Sequence, residues 1–160
     1  MKIRDLMTKE VATCRPDTNL AAAGALMWEH GCGVLPIVDE ERKAIGVVTD
    51  RDICIALCTR NVRASELTVG DVANPRILSC TASEDVRTAL ETMRDGKIHR
   101  LPVVGDGGIL EGIVSMDDIV MSAEKGNGKA RTEVPFEDVI QTLQGISAHH
   151  LNQPLVVVAQ

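Results

Sequence analysis

Two short stretches carry the residue types from which a polar ligand site could be built: Thr49-Asp50-Arg51-Asp52 and Ser115-Met116-Asp117-Asp118. In each, a hydroxyl stands three residues before an aspartate, where an apolar strand-like run gives way to a helical pattern. The first amides of a helix lack intrahelical acceptors and the helix dipole favours an anion beside them, so a phosphate has a place there. An ionised carboxylate only accepts hydrogen bonds, which makes Asp52 or Asp118 a fitting partner for two vicinal ribose hydroxyls. The plainer explanation is that an acid in a first helical turn stabilises the dipole by ~0.3–1 kcal/mol with no ligand at all. Arg51, His99 and Arg100 are the cations best placed to meet phosphate, arginine through its planar fork. Each could equally be a solvated surface residue or half of an ordinary ion pair.

The five cysteines, Cys14, Cys32, Cys54, Cys58 and Cys80, are odd in number and lack Cys-x-x-Cys spacing. That pattern fits reduced thiols rather than a disulfide framework or a zinc ribbon. Cys54 and Cys58 lie four apart on an expected helix, hence on one face, and could hold a soft metal or act as a redox pair, with no evident third ligand. His30 reads as a helix C-terminal residue. His149-His150 suggests metal, but adjacent histidines in a tail are expected to face solvent. Glycine-rich phosphate loops of Walker type, Gly-x-Ser-x-Gly and His-Glu-x-x-His are all missing from the sequence, so an enzyme reading lacks parts.

The 160 residues, 44% hydrophobic and 25% charged, are those of a chain that folds. A net charge of −6 and a pI near 5.2 argue against the basic face that a nucleic acid backbone requires. Only Trp28 and Phe136 are aromatic, so stacked bases have almost no platform and any bound base must rest on aliphatic side chains. The longest apolar runs, 20–28 and 155–159, fall short of the ~18–20 residues that cross a bilayer. Asp5 sits where a secretion signal needs its apolar region. A soluble, cytoplasmic protein is expected.

The elements that must position these residues come in two copies. The halves align without a gap at an offset of 66, matching Asp5 with Asp71, Cys14 with Cys80, Ala23 with Ala89 and Met27 with Met93. The same register matches Leu35-Pro36 with Leu101-Pro102, Gly46 with Gly112, and Asp52-Ile53 with Asp118-Ile119. Each copy reads as a short strand (11–14, 77–80), then a helix (about 18–30, 84–96) with Asp17 or Ser83 near its N-cap. Leu20, Gly24, Met27 and Trp28 form the expected core stripe of the first helix; Val86, Leu90 and Met93 form that of the second. Gly31 and Gly96 are the expected helix stops. Hairpins follow (34–38 with 45–49, 101–104 with 109–115), then a last helix in each copy. The copies differ in charge: Arg51 aligns with Asp117, Gly33 with His99 and Val34 with Arg100, so the two sites cannot be electrostatically equal. Copies of about fifty residues bury too little surface to be comfortable alone and are expected to pair about a pseudo-twofold axis.

In duplicate and in order, Gly33-Val34-Leu35-Pro36-Ile37-Val38-Asp39, residues 45–53, His99 to Val104 and residues 112–119 resemble a tandem pair of CBS motifs, over Ile3 to about Ala123. The resemblance implies an α+β fold of two β-α-β-β-α motifs, non-catalytic regulation of another protein, and a homodimer of modules. It implies an adenosine-containing ligand such as AMP, ADP or ATP in clefts between the paired motifs. There the hydroxyl-x-x-Asp elements Thr49/Asp52 and Ser115/Asp118 hold ribose, and main chain near the strands, at Val34, Pro36 and Pro102, reads adenine. Thr13 and Ser79 would lie at the cleft mouth with Ala12 and Leu78 beside them against the base, while Arg51, His99, Arg100 and Asp117 set the charge. Cys14 and Cys80 are expected to pack inward.

The expected division is 1–66 for the first motif, 67–125 for the second and 126–160 for a tail with a helix. In that tail Pro135 takes the first helical position and Phe136, Val139, Ile140 and Leu143 form an apolar stripe. Gly126-Asn127-Gly128 marks a loop before it. Beside the ligand sensor stand a structural pairing module with empty clefts and, third, a thiol- or metal-dependent protein using Cys54 and Cys58. The regulated protein is not readable from the sequence.

Overall fold

The start of each first helix is fixed by a polar side chain that takes an otherwise orphaned amide. In a computed structural model that describes residues 1–73, 76–124 and 133–151, with side chains through 148, helix α1 (Leu20–His30) is capped by Asn19, whose side chain accepts from the Ala22 amide. Helix α3 (Val86–Gly96) is capped by Asp85, which accepts from the Arg87 amide. Both helices therefore begin two residues later than the sequence suggests, with Asn19 and Asp85 in place of Asp17 and Ser83. Gly31 is left-handed and closes α1 as expected, whereas α3 runs through Gly96 and the left-handed residue is Lys97 (φ 53°).

Strands β1 (Val34–Val38) and β2 (Ala44–Thr49) form one antiparallel hairpin, and β3 (Arg100–Val104) and β4 (Leu110–Ser115) another. In the first, Val34 pairs with Thr49 and Pro36 with Val47. Helix α2 (Asp50–Arg60) leaves β2 directly, and the shorter α4 (Met116–Met121) leaves β4. The leading strands of the repeat shrink to single bridges. Cys14 is the only ladder residue in its segment, pairing in parallel with Ile37: its amide donates to the Pro36 carbonyl and its carbonyl accepts from Val38. A backbone meeting its neighbour at one residue cannot propagate a ladder, which is why 11–14 is not a strand.

The chain divides into two compact units. One holds the described residues of Thr8–Ser79 and Pro102–Ile113, the other those of Met1–Met7, Cys80–Leu101 and Val114–Gln160. In the first unit Cys14, Leu20, Ala23, Met27, Leu35, Ile37, Val48, Ala56 and Val69 make one buried cluster. Trp28 is not in it: at 87% exposure it corrects the expected stripe, because it is turned about 100° from buried Met27 around the helix. Thr68 and its neighbours lie along the start of α1, Leu20 donating to the Leu67 carbonyl and Val69 to that of Thr18. In the second unit the first residues of the chain do the same for α3: Ile3 donates to the Glu84 carbonyl and Val86 to that of Met1. Ile3 and Val69, 66 apart, are both fully buried.

The second unit also holds α5 (Phe136–Leu151), packed on α3 and α4. Pro135 directly precedes it. Its buried face is Val139, Thr142 and Ile146, with Val134 ahead of it, while Phe136 and Ile140 are exposed, so the expected stripe is rotated. Thr142 can be buried because its hydroxyl donates to the Asp138 carbonyl one turn back. The Arg87 guanidinium meets the Asp138 carboxylate at 3.0 Å across the α3–α5 seam. The Gly126–Gly128 loop and the side chains of His149 and His150 lie outside the described residues. No described helix is long and apolar enough to cross a membrane.

Candidate functional site

The hydroxyl-x-x-Asp stretches fold as reciprocal caps. At the start of α2 the Asp52 amide donates to Thr49 Oγ1 (3.1 Å), while the Thr49 amide and hydroxyl both donate to Asp52 Oδ2 (2.9 and 2.7 Å). At the start of α4 the Asp118 amide donates to Ser115 Oγ (3.2 Å), and the Ser115 amide and hydroxyl donate to Asp118 Oδ2 (2.8 and 2.6 Å). Each box satisfies orphan amides at both ends of the first turn. It also fixes the carboxylate: Oδ2 is taken up in the cap, and Oδ1 receives no hydrogen bond among the described residues. All four side chains are half-buried.

A third box shows what the motif does by itself. Thr68 donates through its amide and hydroxyl to Asp71 Oδ2 at 2.8 Å each, on the outer surface. Those two bonds hold the Asp71 carboxyl below the usual carboxylate range. The geometry is thus a structural device wherever it occurs. What sets Thr49/Asp52 and Ser115/Asp118 apart is their place, at the junction of a hairpin and a helix and beside the residues that open the paired strand.

Those opening residues are tied to the helix starts by backbone. Asp50 donates to the Gly33 carbonyl (3.1 Å), and Met116 donates to the His99 carbonyl (2.8 Å). In the first copy the Asp50 carboxylate fills the space where a side chain on Gly33 would begin, with Oδ2 only 2.9 Å from a Cβ placed there. In the second copy the residue matching Asp50 is Met116, and the residue matching Gly33 is His99, which keeps its side chain. Sequence reasoning missed this exchange, although the signal lay in aligned pairs 33/99 and 50/116. The Asp50 carboxylate also accepts from the Arg51 amide at 2.7 Å.

The expected site residues divide between the units. Ala12, Thr13, Val34, Pro36, Thr49, Arg51, Asp52, Leu78, Ser79 and Pro102 belong to the first; His99, Arg100, Ser115, Asp117 and Asp118 belong to the second. Register brings Val34 opposite Thr49. The His99–Met116 bond brings His99 and Arg100 to the Ser115–Asp118 turn. Val34, Pro36 and Pro102 are buried, Ala12, Thr13 and Ser79 half-buried, and Leu78, Arg51, Asp117, His99 and Arg100 exposed. Among the described residues no hydrogen bond joins Ala12, Thr13, Leu78 or Ser79 to either box.

The thiols separate into two kinds. Cys14 and Cys80 are buried as expected, and loss of solvation pushes them up to about 11 and about 12. Cys54 and Cys58 are exposed. Among the described residues no group of three or more His, Cys, Asp or Glu side chains is arranged to hold a metal ion.

Comparison with known proteins places this geometry. The CBS domain model matches twice, over residues 3–58 and 69–125. The chain is 30% identical over 139 residues to the CBS domain-containing protein YhcV of Bacillus subtilis, covering 86% of this chain and 97% of that protein. An uncharacterised Methanopyrus kandleri protein, 31% identical over 120 residues, is spanned over 61% of its length. Among solved structures, Hypoxic Response Protein I with two coordinated zinc ions matches with a TM-score of 0.70 at 30% identity, over 76% of this chain and 98% of that one. The CBS domain pair of protein MJ0100 in complex with 5'-methylthioadenosine and S-adenosyl-L-methionine matches with a TM-score of 0.69 at 26% identity, over 76% and 94%. With two matched copies, the repeated caps and relatives of the same architecture, the chain belongs to the CBS domain family.

Proposed function

We propose that the chain is a non-catalytic sensor that binds an adenosine-containing ligand, AMP, ADP or ATP, and passes its occupancy to a partner protein. The carrying observation is the pair of pre-positioned carboxylates, each with Oδ2 consumed by its cap and Oδ1 left to accept from ribose hydroxyls. The MJ0100 pair, whose structure holds two adenosine derivatives, supports the ligand class. Thr49/Asp52 and Ser115/Asp118 hold ribose; Val34, Pro36 and Pro102 offer main chain to adenine; Thr13 and Ser79, with Ala12 and Leu78, flank the base. Arg51, His99, Arg100 and Asp117 tune the phosphate end. The working division is 1–66, 67–125 and a tail from 126 to 160. The protein acts in the cytoplasm as a homodimer, a reading supported by free cysteines and by exposed apolar side chains such as Trp28 and Met121.

A ligand that binds the native state adds RT ln(1 + [L]/Kd), about 2.7 kcal/mol at a hundredfold excess over Kd. Thermal melting with AMP, ADP, ATP and S-adenosylmethionine is therefore expected to raise the midpoint for at least one of them. No shift with any would leave the structural pairing module as the better reading.

A further inference from the structure

Helix α2 carries a second feature that nucleotide binding leaves unused. Its inner face is Ile53, Ala56 and Leu57, packed against the core of its unit. Its outer face presents Cys54 and Cys58, both free and both exposed. Cysteine is among the residue types most often buried, so two exposed thiols one turn apart are unusual. Side chains four apart on a helix stand one above the other with Cβ atoms roughly 5–6 Å apart. A disulfide requires about 3.5–4.5 Å. The two thiols therefore cannot close on each other while α2 stays helical, but an ion seated between the sulfurs spans the extra distance.

The ligand set decides the ion. Zinc in a structural site takes four ligands, and among the described residues no third His, Cys, Asp or Glu side chain completes such a cluster here. Thiolates select soft ions, copper(I) among them, and copper(I) is satisfied by two thiolates in a near-linear arrangement. We propose that Cys54 and Cys58 form a two-thiolate site for copper(I) on the outer face of α2. Binding exchanges two S–H bonds for two S–Cu bonds. Both protons pass to solvent, the copper stays in its +1 state and no electron is transferred. Cys14 and Cys80 compete poorly, since burial keeps their thiols protonated.

The test is anaerobic titration of the reduced full chain with copper(I) against a chromophoric copper(I) chelator, beside Cys54→Ser, Cys58→Ser and, as control, Cys32→Ser. A fourth variant, Cys58→Ser with Thr59→Cys, restores the number of thiols but moves one off the shared face. The expected result is one ion per chain in the parent and in the Cys32 variant. Loss of even an outer partner of a metal ligand costs 10–100-fold in affinity, so loss of either thiol should cost at least about 100-fold. The relocated thiol should not restore binding, and X-ray absorption should show two sulfur neighbours only. Tight binding that survives loss of either cysteine, recovery in the relocated variant, or one ion per two chains would each overturn the assignment.

Discussion

Replacing Asp52 by asparagine or by alanine separates the two jobs that its carboxylate performs. Asp52 Oδ2 accepts from the Thr49 amide and hydroxyl, at 2.9 and 2.7 Å. Alanine removes both bonds while Thr49 Oγ1 still accepts from residue 52, so it should destabilise the fold by about 1 kcal/mol, within the ~0.5–2 range for capping side chains. Asparagine keeps one amide oxygen for the cap and places an N–H₂ donor where Oδ1 was, so stability should stay within about 0.5 kcal/mol of the parent. Ligand binding divides differently. A hydrogen bond to a charged acceptor contributes about 1.5–3 kcal/mol, so either variant should weaken ribose binding at that site by roughly 10- to 150-fold. The same pair at Asp118 completes the experiment. Titration calorimetry with AMP gives the Kd and urea unfolding gives the stability, each on the same four variants. If Asp52→Asn and Asp118→Asn both bind AMP like the parent, or if affinity falls only where stability falls, the carboxylates are caps alone and the ligand reading fails.

Two further predictions concern the frame. Ile3→Ala should cost about 2–5 kcal/mol in urea unfolding and Val69→Ala about 1.5–3 kcal/mol, because both side chains are fully buried; losses under about 1 kcal/mol at both would show that the leading segments do not dock. Burial holds Cys14 at about 11 and Cys80 at about 12, while unfolded thiols ionise near 8.5–9. Between those values the unfolded state has shed protons that the native state keeps, so stability falls as pH rises from about 9 to 11, by up to roughly 3 kcal/mol for Cys14. The decline should be shallower in a Cys14→Ala, Cys80→Ala variant, and an equal decline in both proteins would refute the assignment.

Features encoded by local, repeated signals are legible in the sequence, and features decided by a distant segment are not. Strands β1 to β4 lie within a residue or so of their expected bounds, since a β-hairpin leading straight into a helix announces itself through apolar runs and the hydroxyl-x-x-Asp cap. The caps of α1 and α3 went astray because Asp17, Thr18 and Asn19 are all good capping residues. The choice among them is made by the Leu20 amide, which donates to Leu67, and by the Thr18 carbonyl, which accepts from Val69. Nothing near residue 19 reveals a partner almost fifty residues away. The tail stripe was missed for a different reason. A search for apolar side chains passes over Thr142, which is buried because its hydroxyl finds an acceptor in its own helix.

The candidate site was legible as a motif and illegible as an environment, and the difference lies in the residues facing each cap. Thr49/Asp52 and Ser115/Asp118 form the same box, so the boxes alone give no reason for unequal occupancy. Around the first, Asp50 crowds Gly33 and adds a second carboxylate to the turn, with Arg51 as the only cation among the aligned positions that differ. Around the second, Met116 stands in place of that carboxylate and is buried, His99 and Arg100 are exposed, and Asp117 takes the position of Arg51. Coulomb attraction at a few ångströms amounts to roughly 1–4 kcal/mol per unit charge between bulk water and a protein surface, so where these charges stand outweighs any difference between threonine and serine in the cap, although Asp50 with Arg51 and Arg100 with Asp117 sum to the same charge. On the proposed reading the two copies should rank differently as phosphate sites, and Asp52→Asn and Asp118→Asn should cost AMP affinity unequally, equal losses refuting the asymmetry. That ranking should narrow when adenosine replaces AMP, because the ribose contact is the same in both copies and only the phosphate distinguishes them.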